Sequence, residues 1–247
     1  MLTTKGIGSA NSLIEKLEQI EPDHYNEFID SLLDTNTPVT IGFLNQHAYN
    51  VANKNARNLR AFIDLDYLLR DGIGIKLACL YRKTLPGANM NGTDFIPALI
   101  DRVLKSRRKV QFFVFGTESP WLEKGAKKLL RGHDYHYLHG FLDPARYVDL
   151  VQSTMDNDAL KIVILAMGMP KQETLAWVLR RTTKGPALIV CGGAIIDFQA
   201  GRFKRAPFLF RKLGLEWLYR LALEPKRLGS RYVIGIPKFL VHVLIGK

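Results

Sequence analysis

Between residues 110 and 191, short apolar runs alternate with segments in which apolar residues recur every three or four positions. The runs VQFFVFG, YHYLHG, LKIVILAMG and PALIVCGGA predict strands, and PWLEKGAKKLLRG, PARYVDLVQS and PKQETLAWVLRR predict helices. Strands that alternate with helices of about a dozen residues are typical of a parallel sheet covered on both faces. The pattern therefore predicts an α/β fold with a mostly parallel sheet.

The first hundred residues continue the same pattern. Apolar positions at helical spacing predict one leading helix over residues 11–33. VTIGFL and YLLR predict strands, and IGIKLACLY and DFIPALIDRVLK predict helices, the second of them capped within NGTD. The polar segment NQHAYN, which leads from VTIGFL into VANKNARNLRAF, predicts a turn followed by a helix.

The pattern changes after Gly201. The last 47 residues show no strand-like alternation, and they predict two or three short helices separated by proline and glycine. We therefore divide the chain into an α/β catalytic domain, residues 1–200, and a small C-terminal helical appendage, residues 201–247. This second segment, called the tail below, is basic and amphipathic.

The charge is concentrated in the tail. The chain of 247 residues is 47% hydrophobic and carries a net charge of +12, of which the tail's eleven Lys and Arg and two Glu supply nine. Such a block favours an anionic partner: nucleic acid, anionic lipid or a phosphorylated substrate. The N-terminus lacks the apolar core of a signal peptide. The apolar run FLVHVLIG is well short of the ~20 residues that span a bilayer, so the sequence predicts no membrane-crossing segment.

Polar residues and glycines follow almost every predicted strand. In open parallel sheets, ligands bind beyond the carboxyl ends of the strands, so these residues are expected to converge on one site. They are Asn45 and His47; Asp71, Gly72 and Gly74; Gly116 and Thr117; Lys171 and Gln172; and Gly192, Gly193 and Asp197.

Asp71 has two interpretations at this stage. Aspartate and glycine are common turn and capping residues, so DGIG can be structural; the alternative is a reactive carboxylate at a pocket. The same turn imitates the start of a dinucleotide-binding fingerprint, but Leu77 stands where the third glycine belongs. A nicotinamide-dependent dehydrogenase is therefore disfavoured.

Metal binding is not expected. The DLD segment at 64–66 imitates the metal-binding Asp-x-Asp of sugar transferases, but its place between a helix end and a strand favours a cap or a solvated pair. The histidines of HDYHYLH alternate along a strand and do not have the spacing of a zinc site.

The tail also has two interpretations. It can be an ordinary packed helical segment with solvated arginines. Alternatively, Trp217, Leu218, Leu221, Phe239 and Leu240 form an apolar membrane-docking surface, and nearby cations meet phosphate or lipid headgroups. Those cations are Arg211, Lys212, Arg220, Lys226, Arg227 and Arg231. Nucleic acid is the rival anion, but no nucleic-acid-binding motif accompanies the charge.

Five segments occur in one characteristic order: LRDGIGI, NGTDFIPAL, MGMPKQE, GGAIIDFQAGRFKRAP and LGLEWLYRLALEPKRLGSRY. Together they resemble the bacterial WecG/TagA/CpsF glycosyltransferases from about residue 38 to 232. The resemblance implies a Rossmann-like domain that transfers a sugar from a UDP-sugar to a polyprenyl-diphosphate-linked sugar during synthesis of surface polysaccharides. It implies no metal or other cofactor, and a tail that docks on the membrane and contributes arginines to the site.

The resemblance also assigns roles to residues. Asp71 corresponds to the catalytic aspartate, and it is expected to be the general base of an inverting transfer. The expected substrate-binding residues are Asn45, His47, Gly72, Gly74, Thr93, Asp94, Gln172, Gly193, Asp197, Arg220, Arg227 and Arg231. Backbone N–H groups at the helix starts after Gly72–Gly74 and Gly192–Gly193 are expected to help hold the departing diphosphate.

The chain departs from the family pattern at two positions that bear on substrates. Asn45-Gln46-His47 replaces a common Thr-x-Asn, and exopolysaccharide members that include xanthan-type glucosyltransferases resemble this version. Glucose is therefore the first choice of donor sugar. Ser230 stands where many members have a further arginine.

These observations combine into one expectation: a peripheral enzyme on the cytoplasmic face of the bacterial inner membrane, with a UDP-sugar, a lipid-linked acceptor and the membrane surface as partners. A homo-oligomer is an open possibility, and nucleic acid is not an expected partner. The alternatives from other classes are a non-catalytic anionic-lipid-binding protein and a nucleic-acid-binding Rossmann-like protein.

Overall fold

The fold is built on one sheet of six parallel strands. The computed structural model describes residues 10–245. The strands are β1 (Pro38–Leu44), β2 (Tyr67–Arg70), β3 (Val110–Gly116), β4 (Tyr135–His139), β5 (Leu160–Ala166) and β6 (Ala187–Cys191). Their order in the sheet is β2-β1-β6-β5-β3-β4, and every neighbouring pair is parallel. The predicted α/β class and parallel sheet are confirmed.

Helices cover both faces of this sheet. The helices of the domain are α1 (Ser12–Glu15), α2 (Tyr25–Leu33), α3 (Gln46–Ala52), α4 (Ala56–Ile63), α5 (Ile73–Tyr81), α6 (Gly92–Lys105), α7 (Trp121–Leu129), α8 (Pro144–Thr154), α9 (Lys171–Thr182) and α10 (Ile195–Ala200). Helices α2, α6, α7 and α10 pack on one face, and the others pack on the opposite face. Alternate residues of each strand serve the two cores, as Phe112 and Phe113 of β3 illustrate.

Two predicted helices differ from those observed. The single leading helix is wrong: α1 ends at Glu15, and α2 begins only after a 3₁₀ turn at Pro22–His24. Residues 17–21 between them are not helical, and Pro22 stands at the first position of the 3₁₀ turn, where its missing N–H leaves no hydrogen bond unmade. The turn and single helix expected after β1 are two helices, each with an asparagine cap, at Asn45 and at Asn55.

The tail contains one longer helix than the sequence predicted. Its first helices are α11 (Phe208–Lys212) and α12 (Glu216–Leu223); then α13 (Pro225–Gly229), a π-helical turn (Ser230–Ile234) and α14 (Gly235–Ile245) run on as one helix. The described part of the tail thus has three helices, as expected, with Gly214 and Pro225 at the breaks between them, but the last helix is not short, because Gly229, Gly235 and Pro237 do not interrupt it. The π turn lies just before Pro237, where it makes room for a ring that clashes with a regular helical turn.

This final helix, Pro225–Ile245, has 21 residues and is long and apolar enough to cross a membrane by length and composition. The length argument against a crossing segment was wrong for that reason. In the structure, however, the helix lies along the α/β domain. The Asn50 side-chain amide donates a hydrogen bond of 2.7 Å to the Gly235 carbonyl, and the Phe239 ring packs edge-on against Tyr49 at 5.1 Å. The membrane-docking interpretation of the tail placed Phe239 at the surface, but this contact buries it, as the packed-tail interpretation allows.

The same helix has two apolar sides. One side is buried against the rest of the protein and consists of Leu228, Tyr232, Phe239 and Val243. The other side is exposed and consists of Val233, Ile234, Val241, Leu244 and Ile245. We call these last five residues the outer stripe.

Candidate active site

The carboxyl ends of the six strands open into a cavity of about 490 Å³, called the first cavity below. Most of the strand-end residues expected to converge line it, but Lys171 does not, because its ammonium group donates to the carbonyls of Gly140 and Leu142. From the domain, the cavity is lined by Asn45, His47, Asp71, Thr93, Gly116, Thr117, Gly140, Met167, Gln172, Gly192, Gly193 and Asp197, among others. From the tail, Arg202, Phe203, Arg220, Arg227 and Arg231 line it.

Asp71 and Asn45 are neighbours because their strands pair in register. Leu44 of β1 lies beside Arg70 of β2, so the residues that follow these two strands emerge side by side. The Asn45 side-chain amide donates a hydrogen bond of 3.0 Å to Asp71 Oδ2. Its oxygen accepts from the backbone N–H groups of His47 and Ala48, both at 3.0 Å, and so caps α3. One asparagine thus starts a helix and orients the carboxylate.

The Asp71 side chain faces the cavity and is not a helix cap. Gly72 occupies the N-cap position of α5 with φ of 88°, and no side chain caps this helix. Burial raises the pKa of Asp71 above its ordinary value, while the Asn45 hydrogen bond, Arg231 and Arg220 oppose that rise. A carboxylate with a raised pKa is better matched to accepting a proton near neutral pH than an exposed one.

His47 lies in the same wall. Burial, together with the nearby positive charges of Arg231 and Lys54, lowers the pKa of His47 to about 4. The imidazole is therefore neutral near pH 7, and it can both donate and accept a hydrogen bond.

Three tail arginines form the cationic side of the first cavity. The Arg220 guanidinium lies over the Phe198 ring at 5.0 Å, and that of Arg227 lies over Phe203 at 4.5 Å. Burial lowers the pKa of Arg231, and repulsion from Arg220 adds to this effect. The Nε atoms of Arg220 and Arg231 are buried, and no described residue accepts a hydrogen bond from them. Unpaired buried donors of like charge are an anion-binding arrangement.

Asp197 is held by a cation that sequence analysis missed. Arg202 Nη1 lies 3.2 Å from Asp197 Oδ1, and it donates to the Thr117 hydroxyl at 3.0 Å. Asp197 lies in the first turn of α10, and both it and Arg202 line the first cavity. Arg202 follows Asp197 by five residues, and that spacing could have identified it. It was overlooked because it lies just beyond residue 200, where the predicted alternation of strands and helices ends.

Gln172 is fully buried beneath the loop after β6. Its side-chain oxygen accepts the Gly193 N–H at 3.0 Å, and its amide donates to Glu173 Oε1 at 2.8 Å. The N–H of Gly193, expected to serve a diphosphate, is thus used within the protein. Glu173 is also fully buried, and its other oxygen has no hydrogen-bond partner among the described residues. Burial raises the pKa of Glu173 to about 7. Sequence analysis missed Glu173 because a charged helix residue normally faces solvent.

A second cavity, of about 350 Å³, meets the first at Asp71. The two share Asn45, Asp71, Thr93, Arg220 and Arg231. Gly72 and Gly74 line only this second cavity. The start of α5 therefore faces the second cavity, whereas the glycines at the ends of β3, β4, β5 and β6 line the first cavity. Arg211, Glu216, Trp217, Leu77 and Leu240 also line it.

Asp94 lines neither cavity. Its carboxylate pairs with Arg205 of the tail at 2.6 Å and accepts a hydrogen bond of 2.9 Å from the Asn91 amide. These contacts connect the start of α6 to the tail. Thr93, one residue earlier, lines both cavities.

The Asp-x-Asp segment lies at the opposite edge of the sheet, where β2 begins. Asp64 pairs with Arg60 at 2.7 Å. Asp66 accepts from the Thr40 N–H at 2.9 Å and pairs with Arg180 at 2.7 Å. Across residues 10–245, no group of three or more His, Cys, Asp or Glu side chains is placed to hold a metal ion.

Comparison with known proteins gives one consistent result. A sequence model of the glycosyl transferase WecG/TagA/CpsF family matches residues 12–247. An N-acetylglucosaminyldiphosphoundecaprenol N-acetyl-beta-D-mannosaminyltransferase of Bacillus spizizenii is 27% identical over 242 residues, covering 92% of this chain and 91% of the relative. A Staphylococcus aureus protein of the same description is 24% identical over 245 residues, covering 96% of this chain and 89% of the relative. The resemblance drawn from the motifs is confirmed.

The buried Glu173 predicts a loss of stability as pH rises. Its folded-state pKa of about 7 is above the ordinary value of 4.5. The folded protein therefore keeps a proton that the unfolded chain releases between these two pH values. The stabilisation is complete below pH 4.5 and is lost as pH rises to about 7, on the order of 3 kcal/mol in total.

Urea unfolding of the wild type and of Glu173→Gln at pH 5 and pH 8 measures this effect. The free energy of unfolding of the wild type should fall relative to the variant by about that amount over the interval. Glu27→Gln, at an exposed glutamate, is the matched control. Its free energy of unfolding should change between pH 5 and pH 8 by the same amount as that of the wild type. Parallel pH dependences for the wild type and Glu173→Gln would contradict the assignment.

Proposed function

Because the chain belongs to the WecG/TagA/CpsF family of glycosyl transferases, we propose that it moves a hexosyl group from a UDP-sugar to a polyprenyl-diphosphate-linked saccharide. The observation that carries this proposal is the position of Asp71. Its carboxylate lies where two cavities meet, and Arg220 and Arg231, with unpaired buried donors, line both cavities beside it. A base next to an anion site is what displacement of a nucleoside diphosphate requires.

The proposed acceptor rests on the relatives. Their descriptions name N-acetylglucosaminyldiphosphoundecaprenol, a sugar joined to a polyprenyl lipid through a diphosphate. We propose an acceptor of this class for this chain, and a role in building a polysaccharide of the bacterial cell envelope. The basic tail with its exposed outer stripe suits a substrate that is both anionic and lipid-linked.

The proposed reaction is a single displacement. Asp71 removes the proton from an acceptor hydroxyl, and that oxygen attacks the anomeric carbon as its bond to the UDP oxygen breaks. The negative charge that develops on the departing diphosphate is stabilised by Arg220, Arg227 and Arg231. The β linkage in the relatives' descriptions fits inversion at a donor carbon that is α-linked to UDP. In this proposal the arginines supply the positive charge that neutralises the departing diphosphate.

The first cavity is the proposed donor site. It collects the glycines and backbone groups of the strand ends together with Arg220, Arg227 and Arg231, and its volume suits a nucleotide sugar. The neutral His47 imidazole and Asn45 are placed beside Asp71, where the sugar ring of a donor must lie. We propose that His47 contacts the transferred sugar.

Two donor sugars are in competition. The relatives' descriptions favour N-acetylmannosamine, and the Asn45-Gln46-His47 variant favours glucose. A hydrogen-bonding site rejects an analogue that leaves its polar groups unpaired, so the two donors should differ clearly.

We expect a thermal-shift screen with UDP-N-acetylmannosamine, UDP-glucose and their uronic acids to give one donor that stabilises the protein more than UDP alone. His47→Asn should reduce the preference for that donor about tenfold or more in kcat/KM. Stabilisation by none of these nucleotides would contradict a UDP-sugar site. An unchanged preference in His47→Asn would remove His47 from sugar recognition.

The role of Asp71 predicts a selective loss of turnover. Asp71→Asn keeps the size of the side chain and the neighbouring Asn45, but it cannot accept the proton, so kcat should fall by about 10²–10⁴. Affinity for UDP, measured by calorimetry, should stay within a factor of a few because the arginines are intact. The matched control is Asp64→Asn, at the opposite edge of the sheet. Wild-type turnover in Asp71→Asn would return this aspartate to a structural role.

We propose that the outer stripe contacts the membrane and that the enzyme works at the cytoplasmic face of the inner membrane. Ile234 and Ile245 are 64% and 75% exposed. A double change of both residues to Gln should weaken co-sedimentation with phosphatidylglycerol vesicles about tenfold or more, because the variant no longer buries these two apolar side chains in the membrane. Transfer to an acceptor on a short, water-soluble chain should be unaffected. Tyr137→Gln, at an exposed aromatic on edge strand β4, is the control.

A chain that ends at Gly201 tests whether the tail also completes the site. It lacks Arg220, Arg227 and Arg231 and should lose turnover even on the soluble acceptor, by at least the 10²–10³ typical of one electrostatic partner. Full activity of this truncated chain would refute the role of the tail arginines.

Unchanged vesicle binding in the variant with both Ile234 and Ile245 changed to Gln would refute the outer stripe as the membrane contact.

A further inference from the structure

We propose that the second cavity is the acceptor site: Arg211 binds the acceptor's diphosphate, Glu216 binds hydroxyl groups of its sugar, and Leu77 and Leu240 at the mouth hold the first units of its hydrocarbon chain. This assignment rests on the proposed function and adds the residues that recognise the lipid-linked substrate.

The position of Asp71 requires a site on each side of it. In a direct displacement, the attacking oxygen approaches the anomeric carbon from the side opposite the leaving group. The base must therefore touch the acceptor while the leaving diphosphate lies further away. Asp71 and Thr93 line both cavities, whereas Arg227, Gly116 at the end of β3 and the glycines after β5 and β6 line only the first. The second cavity is thus on the side from which an acceptor hydroxyl reaches Asp71.

The mouth of the second cavity fits a lipid. Leu77 on α5 is 53% exposed and Leu240 on α14 is 43% exposed, yet both line this cavity together with Ile236. Leucines left in water at the edge of a polar cavity suit a ligand with a polar head and an apolar chain. Val241 and Leu244 of the outer stripe follow Leu240 along the same helix, so a chain leaving the mouth meets the surface proposed to contact the membrane.

Arg211 is available for an anion. Its Nε is buried, and no described residue accepts a hydrogen bond from it. The nearest carboxylate, that of Asp94, is 4.0 Å away and is already engaged by Arg205 at 2.6 Å. A guanidinium with a free edge binds a phosphate through two parallel hydrogen bonds. Because Arg211 lines only the second cavity, the phosphate that it serves is not the one held by Arg227.

Glu216 is the acidic group among these cations. Its half-buried carboxylate lies in the field of Arg205 and Arg220, and burial raises the pKa of Glu216. No described cation lies within ion-pair distance of it. Carboxylate oxygens that line a sugar-sized cavity accept hydrogen bonds from sugar hydroxyls.

The test compares two acceptors that carry the same sugar diphosphate, one on undecaprenol and one on a short, water-soluble alkyl chain. We expect Arg211→Gln to raise KM for both acceptors about 10- to 100-fold, with KM for the UDP-sugar unchanged. Leu77→Gln should raise KM about 5- to 10-fold for the undecaprenyl acceptor alone. Lys212→Gln and Leu85→Gln are matched controls: both residues are exposed and line neither cavity, and no change is expected.

A binding measurement makes the test independent of turnover. We expect calorimetry with the UDP-loaded protein to show weaker binding of the short-chain acceptor in Arg211→Gln, by about the factor given above for KM. Glu216→Gln should also weaken binding of this acceptor. The assignment is overturned if Arg211→Gln weakens UDP binding and leaves the acceptor unaffected, or if Leu77→Gln affects both acceptors equally. Absence of transfer by the wild type with every donor contradicts the proposed function instead, and the calorimetry still decides the acceptor site.

Discussion

The hydrogen bond between Asn45 and Asp71 is the contact on which the proposed chemistry depends. It exists because β1 and β2 are parallel neighbours, paired so that Leu44 lies beside Arg70. Parallel strands bring their carboxyl ends to one edge of the sheet, which places side chains 26 residues apart in the chain next to each other. Because Asn45 also caps α3, the carboxylate is oriented by a residue that is itself held by the backbone. A base positioned in this way loses little freedom when a substrate arrives.

The tail supplies the arginines that line the first cavity; no lysine or arginine of the described α/β domain lines it. Arg220, Arg227 and Arg231 repel one another, and aromatic rings and Glu224 hold two of them in place without neutralising the group. An anion relieves that repulsion, so the three arginines favour binding of a diphosphate. The final helix has three contact surfaces. Arg227 and Arg231 face the first cavity, the inner side packs on α3, and the outer stripe is exposed. Binding to a membrane through the outer stripe would therefore also position the arginines.

Most of the fold and part of the site were predictable from local patterns. The strands, the helices between them and the convergence of strand-end residues all follow from hydrophobic periodicity and from the geometry of parallel sheets. The errors share a cause. Phe239 was placed on the surface because the Tyr49 ring that covers it lies nearly two hundred residues earlier, and Gly193 was assigned to a ligand although a buried glutamine already uses its N–H. Glu173 was missed because a charged residue in a helix gives no sign that it is buried.

The sequence by itself determined the fold class and the family, and it singled out Asp71 as the candidate base, because periodicity and ordered motifs are properties of the chain. Only the tertiary structure decided how the site is divided. The assignment of Gly72 and Gly74 to the second cavity, the pairing of Asp94 with Arg205 and the meeting of two cavities at Asp71 depend on distances between segments far apart in the chain. No local pattern encodes those distances, since they arise when the tail packs against the ends of the strands.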